Sequence, residues 1–257
     1  MNFPSLIAFD FDGVICDGLV EYFETAWQAY CQLFEPSQTT PPDGLAQRFY
    51  PLRPVIETGW EMPVLVAALV QGAEDQQIIE EWPEMALPYL EAANLTKQQS
   101  VQMLDGVRDQ KIKSDLQSWL DLHRFYPGVI ERLSELLDSD IPIYIVSTKE
   151  GRFIEALLAQ SGIAFPGDRI FGKEVKRPKY ETLRLLKEKH GVADIWFIED
   201  RLPALKAVAE QDDLKEVQLF LADWGYNLEG DHTIARQNER IHLLSLQQAV
   251  QTFDRWM

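Results

Sequence analysis

Two aspartates one residue apart, Asp10 and Asp12, follow the short apolar run Leu6-Ile7-Ala8-Phe9 and precede Gly13. A run of that length without helical spacing reads as a buried strand entering a turn. Residues two apart at the end of an extended segment point to the same side. One carboxylate can then attack phosphorus while its neighbour, protonated at that moment, gives a proton to the leaving oxygen. Gly13 permits positive φ and exposes backbone N–H groups to a transferring phosphoryl group. Two later apolar runs end in Ser147-Thr148-Lys149 and Glu199-Asp200, and Lys176 and Lys179 stand just before a helical stretch. Carboxylates gathered around a phosphate need a hard cation. Asp10, the carbonyl of Asp12, and Asp200 form an oxygen set suited to Mg²⁺, with Glu199 as a further outer carboxylate. Ser147, with Thr148 beside it, and a lysine would hold the remaining phosphate oxygens.

These groups are far apart in sequence, so the elements must bring them together. From Tyr126 onward helices and strands alternate. Helices are expected over Val129–Leu137, Arg152–Gln160, Tyr180–Lys189 and Ala204–Glu210, and strands over Ile141–Val146, Ile195–Ile198 and Val217–Leu221. Such alternation calls for a parallel sheet covered by helices, an α/β, Rossmann-like core. Ligands of such sheets bind beyond the carboxyl ends of the strands, where all the candidate groups fall.

Residues 17–124 read differently. Helical stretches dominate: Leu19–Phe34, Val64–Val70, Ile78–Ala93 with breaks at Pro83 and Pro88, and Val101–Leu122. The expected organisation is a core of residues 1–16 plus 125–257, interrupted by an all-α insert over 17–124. The insert's ends, near Asp17 and Arg124, should lie close together, because the chain leaves the core and returns to it. One loop of the insert, Arg53 to Glu61, combines Arg53, Glu57, Gly59 and Trp60 without helical periodicity. It reads either as a substrate-recognition loop using Arg53 and Glu57 or as a polar connector with Trp60 packed inward.

Asp10-Phe11-Asp12-Gly13-Val14 resembles the first motif of the haloacid dehalogenase-like hydrolase superfamily. Tyr126-Pro127-Gly128-Val129 resembles the stretch that re-enters its core after a helical cap. The strand ending in Ser147-Thr148-Lys149 is similar to its second motif, and Phe197-Ile198-Glu199-Asp200 to its acidic fourth motif in a paired-acid form. The resemblance implies the family fold, Mg²⁺ dependence and an aspartyl-phosphate intermediate on Asp10. It also implies a third-motif lysine, for which Lys179 has better spacing to Glu199 than Lys176. The acid that many relatives carry four or five residues after the fourth motif is replaced here by Ala204 and Leu205. The expected activity is a phosphatase for a small phosphorylated metabolite, with the insert closing over the site as a cap. A sugar phosphomutase, suggested by Glu199-Asp200, and a non-catalytic binding protein on the same scaffold are the alternatives.

The bulk numbers narrow the classes. Of 257 residues, 46% are hydrophobic and 25% charged, as in ordinary soluble globular proteins. A formal net charge of −17 opposes binding to nucleic acid or anionic membranes. No apolar stretch is long enough to span a bilayer, and acids arrive too early for a signal peptide. Two cysteines, Cys16 and Cys31, make no disulfide framework, and a cytoplasmic location is the expectation. Oligomeric state is not encoded in any feature of this kind. The same negative charge repels phosphate at long range, so a phosphate site must be a local positive island.

Overall fold

The computed structural model describes residues 3–256. Its chain divides into two compact units, Met1–Asp17 with Arg124–Met257, and Gly18–His123.

The first unit is built on a six-stranded, all-parallel sheet. Its strands are β1 (Leu6–Phe9), β4 (Ile143–Val146), β5 (Ile170–Phe171), β6 (Ile195–Glu199), β7 (Gln218–Ala222) and β8 (Ile241–Leu244). Two further short strands, β2 (Cys16–Asp17) and β3 (Arg124–Phe125), pair antiparallel beside it. The order across the sheet is β5-β4-β1-β6-β7-β8. The central strands are continuous apolar runs, buried along almost their whole length, as expected where helices cover both faces. Each fully buried Leu, Ile or Phe in them contributes roughly 1.5–3 kcal/mol of hydrophobic stabilisation.

This order makes β1 the switch point. From β1 the chain moves outward on one side through β4 and β5, then crosses to the other side for β6, β7 and β8. In such sheets the crevice forms beyond the carboxyl ends of the strands at that position. Register completes the alignment: Phe9 lies opposite both Ile145 and Ile198. Asp10 therefore emerges between the ends of β4 and β6, and its N–H donates to the Ile198 carbonyl at 2.8 Å.

The pairing of β2 with β3 sets Cys16 opposite Phe125 and Asp17 opposite Arg124, so the two ends of the insert are neighbours. Within the unit Gly18–His123 the helices are Leu19–Phe34, Leu45–Leu52, Glu61–Val70, Asp75–Ala92, Lys97–Ser114 and Leu116–Leu120. Three differ from the sequence expectation. The helix Leu45–Leu52 lies outside the expected helices, although Leu45, Phe49 and Leu52 fall at helical spacing on its buried face. Asp75–Ala92 runs unbroken through Pro83 and Pro88. Both prolines are exposed, so the carbonyls they deprive of donors can reach water, while Ile78, Trp82, Ala86 and Leu90 form one buried stripe. The expected helix Val101–Leu122 is instead two, divided at Asp115, whose carboxylate caps the second by accepting from the Ser118 N–H at 3.0 Å.

This unit is centred on a buried ion. Glu21 is fully buried and accepts from Thr25 Oγ1 (2.8 Å), Arg108 Nε (2.8 Å) and Trp119 Nε1 (3.1 Å). Three elements are thereby tied to one carboxylate, which a burial of this kind requires.

Candidate active site

Asp10 is the first residue beyond β1 and is buried, 5% exposed. Its Oδ2 lies 2.9 Å from Lys179 Nζ, while its Oδ1 is buried and accepts no hydrogen bond from the described residues. Lys179 opens the helix Lys179–His190, and its ammonium also reaches Glu199 Oε2 at 2.5 Å. The second Glu199 oxygen accepts from the Arg201 N–H at 3.0 Å. Glu199 is thus held at both oxygens, one by a lysine and one by the backbone.

Asp200, 1% exposed, sits in a slot made by two glycines. A methyl group on Gly13 (φ +81°) would overlap the Asp200 carboxylate, and one on Gly225 would overlap its Cβ. Only residues without a side chain permit so close an approach. The Tyr226 N–H donates to Asp200 Oδ2 at 2.7 Å, and Asn227 Nδ2 donates to the Asp200 carbonyl at 2.9 Å. The segment Trp224–Asn227 therefore holds Asp200 in place. Trp224 Nε1 also donates to the Val14 carbonyl at 3.1 Å, and Tyr226 Oη to Asp17 Oδ1 at 3.1 Å, joining this segment to the loop after β1.

Asp10, Glu199 and Asp200 can each offer an oxygen such that all three lie within 4.8 Å of one another. Three buried carboxylates and one ammonium leave an excess of negative charge, and the acids respond. Burial raises Asp10 to about 7, with the Glu199 charge adding to the effect and Lys179 and Ser147 opposing it. Burial likewise raises Glu199 to about 7 against the pull of Lys179. Asp200 rises to about 6, through burial and then the charge of Asp10. For Lys179, burial works against the charge, but Asp10 and Glu199 outweigh it and the amine is held above its ordinary value. The partnerless Asp10 oxygen and the excess of buried carboxylate are what a hard divalent cation would satisfy, so the donor set fits Mg²⁺.

The other candidates divide. Ser147 is buried directly after β4, and its Oγ accepts from the Lys149 N–H at 3.3 Å. Thr148 is exposed. The Asp12 carboxylate is not among the three clustered acids; its Oδ1 accepts from Lys149 Nζ at 3.2 Å. Lys149 was read only as part of a motif, and its 9% exposed side chain adds a second ammonium to the site. The motif held no signal for this pairing, which depends on how β1 and β4 lie side by side. Lys176 is exposed with φ +50°, and it is Lys179 that pairs with Asp10 and Glu199. Arg53 and Glu57 belong to the helical unit: Arg53 lies over the Tyr22 ring at 4.9 Å, and Glu57 is exposed. Trp60 in the same loop is half-buried beneath Lys97 Nζ, 4.4 Å from its ring centre. Cys16 is buried, and burial pushes its thiol well above the ordinary range, which makes it a poor nucleophile.

Residues 4–210 match the sequence model of the haloacid dehalogenase-like hydrolases. No curated protein sequence matches the chain. Solved structures share its fold at low identity. A haloacid dehalogenase-like family protein from Streptococcus pneumoniae is 18% identical, with TM-score 0.56 and 94% of each chain covered. A predicted phosphoglycolate phosphatase from Haemophilus somnus 129pt is 17% identical, with TM-score 0.55 and 88% of each chain covered. A family hydrolase from Deinococcus radiodurans R1, with bound phosphate and sodium, is 14% identical at TM-score 0.55, covering 94% of this chain and 90% of that one. Among the described residues no helix is long and apolar enough to cross a membrane.

Proposed function

The chain belongs to the haloacid dehalogenase-like hydrolases, and on that footing we propose that it is a Mg²⁺-dependent phosphatase for a small organic phosphate. The observation that carries this reading is the environment of Asp10. It stands at the switch point of the sheet, one oxygen held by Lys179 and the other buried without a partner, with Asp12 two residues on. The phosphate and sodium in the Deinococcus radiodurans relative, and the phosphatase name of the Haemophilus somnus one, support the choice of substrate class.

Asp10, the backbone carbonyl of Asp12, and Asp200 would hold the cation. When bound, Mg²⁺ neutralises phosphate oxygens and offsets the buried carboxylate charge. Glu199 has both oxygens engaged and holds Lys179 instead. Lys179 and the Ser147 hydroxyl bind the phosphate oxygens, and Thr148, beside Ser147, offers its backbone N–H.

Hydrolysis then takes two steps. An Asp10 oxygen forms a bond to phosphorus as the bond from phosphorus to the ester oxygen breaks, and the Asp12 carboxyl gives its proton to the departing alkoxide. The Asp12 carboxylate next takes a proton from water, whose oxygen attacks phosphorus and releases Asp10 and inorganic phosphate. Cleavage of a carbon–halogen bond would need no proton donor at Asp12, which is why a phosphate ester is the better substrate. A panel of small phosphate esters with Mg²⁺ tests the reading. Inorganic phosphate is the expected product, chelation should abolish its release, and Asp10→Asn should lower kcat by at least about a thousandfold. Chelator-insensitive turnover, or an active Asp10→Asn protein, would overturn it.

A further inference from the structure

The chain carries 41 acidic and 24 basic side chains, so a phosphate dianion approaching it meets a repulsive field. One segment reverses the balance. Residues 173–179 hold Lys173, Lys176, Arg177 and Lys179 against a single acid, Glu174. The segment links β5 to the helix Lys179–His190 and is pinned to the site. The Lys173 N–H donates to the Lys149 carbonyl at 2.9 Å, and Lys149 is the residue whose ammonium pairs with Asp12. The backbone comes this close because residue 172 is glycine: a methyl group there would lie 2.6 Å from the Lys149 carbonyl oxygen and 2.5 Å from the Gly151 nitrogen.

The charges on this segment have different uses. Lys179 is committed to Asp10 and Glu199. Arg177 lies over the Phe171 ring at 5.4 Å and donates to Thr182 Oγ1 at 3.0 Å. Glu174 accepts from the Gly151 N–H at 3.1 Å, at the start of the helix Gly151–Gln160, where a helix favours negative charge. Lys173 and Lys176 are exposed and form no ion pair among the described residues. Lys176 even occupies the left-handed region, φ +50°, which side chains other than glycine rarely adopt. Two unneutralised ammonium groups thus stand on a loop fastened to the catalytic edge of a strongly acidic protein.

We propose that Lys173 and Lys176 form an entry rim that draws anionic phosphate substrates to the site against the field of the rest of the molecule. This rests on the phosphatase reading and adds to it the residues that set the encounter rate. The rim acts before chemistry, so it governs kcat/KM and its salt dependence rather than kcat.

The test uses the full chain with Mg²⁺ and a dianionic aryl phosphate, assayed at low and high salt. Lys173→Glu and Lys176→Glu should each lower kcat/KM at low salt by roughly three- to tenfold, through KM, with kcat unchanged. The loss should fade at high salt as screening shortens the range of the field. Lys215→Glu is the control. It makes the same change in net charge at an exposed position just before β7, at the amino ends of the parallel strands and so at the end of the sheet away from Asp10. It should leave kcat/KM within about twofold. An equal loss in Lys215→Glu, or a loss confined to kcat and indifferent to salt, would overturn the rim and leave the phosphatase reading standing. Absence of Mg²⁺-dependent turnover in the unaltered protein would overturn that reading, and the rim with it.

Discussion

Lys179 reaches Glu199 at 2.5 Å, closer than it reaches Asp10 at 2.9 Å. The lysine is therefore anchored by one acid while it serves another. Glu199 is fully buried at the end of β6, so the anchor is rigid, and it aims an otherwise flexible ammonium at Asp10.

Replacing that anchor should weaken catalysis without removing a group that touches substrate. Glu199→Gln keeps the shape but loses the charge that holds Lys179. We expect kcat to fall about 10- to 100-fold, the range usual for residues that orient catalytic groups. Lys179→Met should cost more, since it also strips a cation from the phosphate. Steady-state kinetics on one ester, with thermal melts to verify folding, provides the measurement.

The raised acids also make a prediction about stability. Asp10, Glu199 and Asp200 bind protons more tightly in the folded chain than in the unfolded one, with folded values of about 7, 7 and 6. Between the ordinary carboxylate range and those values the folded state holds the extra protons, so stability falls as pH rises through the window. Without divalent cations, Asp200→Asn should be more stable than the unaltered protein at mildly alkaline pH, and the gain should shrink in mild acid. Adding Mg²⁺ should raise the melting temperature of the unaltered protein and not that of the variant. Melting curves across pH, with and without the cation, would contradict this if the two proteins ran parallel.

Gly13 can be tested against a glycine of similar backbone. Gly13 (φ +81°) faces the Asp200 carboxylate, whereas Gly162 (φ +85°) has nothing within 4 Å of where a Cβ would stand. Alanine at either position costs about 1–2 kcal/mol for the left-handed backbone. Only Gly13→Ala should also displace Asp200, lowering affinity for Mg²⁺ by about tenfold or more, as titration calorimetry would measure.

The buried ion of the helical unit gives a prediction independent of catalysis. Arg108→Met strips Glu21 of the guanidinium that pairs with it at 2.8 Å. A buried acid so stranded should cost about 3–5 kcal/mol in chemical denaturation. Glu21→Gln combined with Arg108→Met should cost less than Arg108→Met alone, which a double-mutant cycle would resolve.

How far these features were legible in the sequence varied with their range. The sheet was readable because β1, β4 and β6 are continuous apolar runs ending in polar residues, and strand ends in a parallel sheet share an edge. That reasoning also placed Asp10, Ser147 and Asp200 on one edge. The two-residue β5 is too short to show any period, and β8, broken by His242, does not alternate cleanly. The pairing of Lys149 with Asp12, the hold of Tyr226 on Asp200 and the Glu21 network join residues distant in sequence through side-chain direction. No local pattern encodes that direction, because it is set only when the strands take their register.

The antiparallel contact between Cys16-Asp17 and Arg124-Phe125 has a consequence for how such a protein can change. Topologically the residues Gly18–His123 are the turn of a hairpin, whose two stems are already closed by their own backbone pairing. Whatever is spliced into that turn begins and ends at the same point. It can be lengthened, shortened or exchanged for another module without shifting the register of β1 against β4 and β6. The chemistry and the module threaded through it are thus free to diversify on separate schedules.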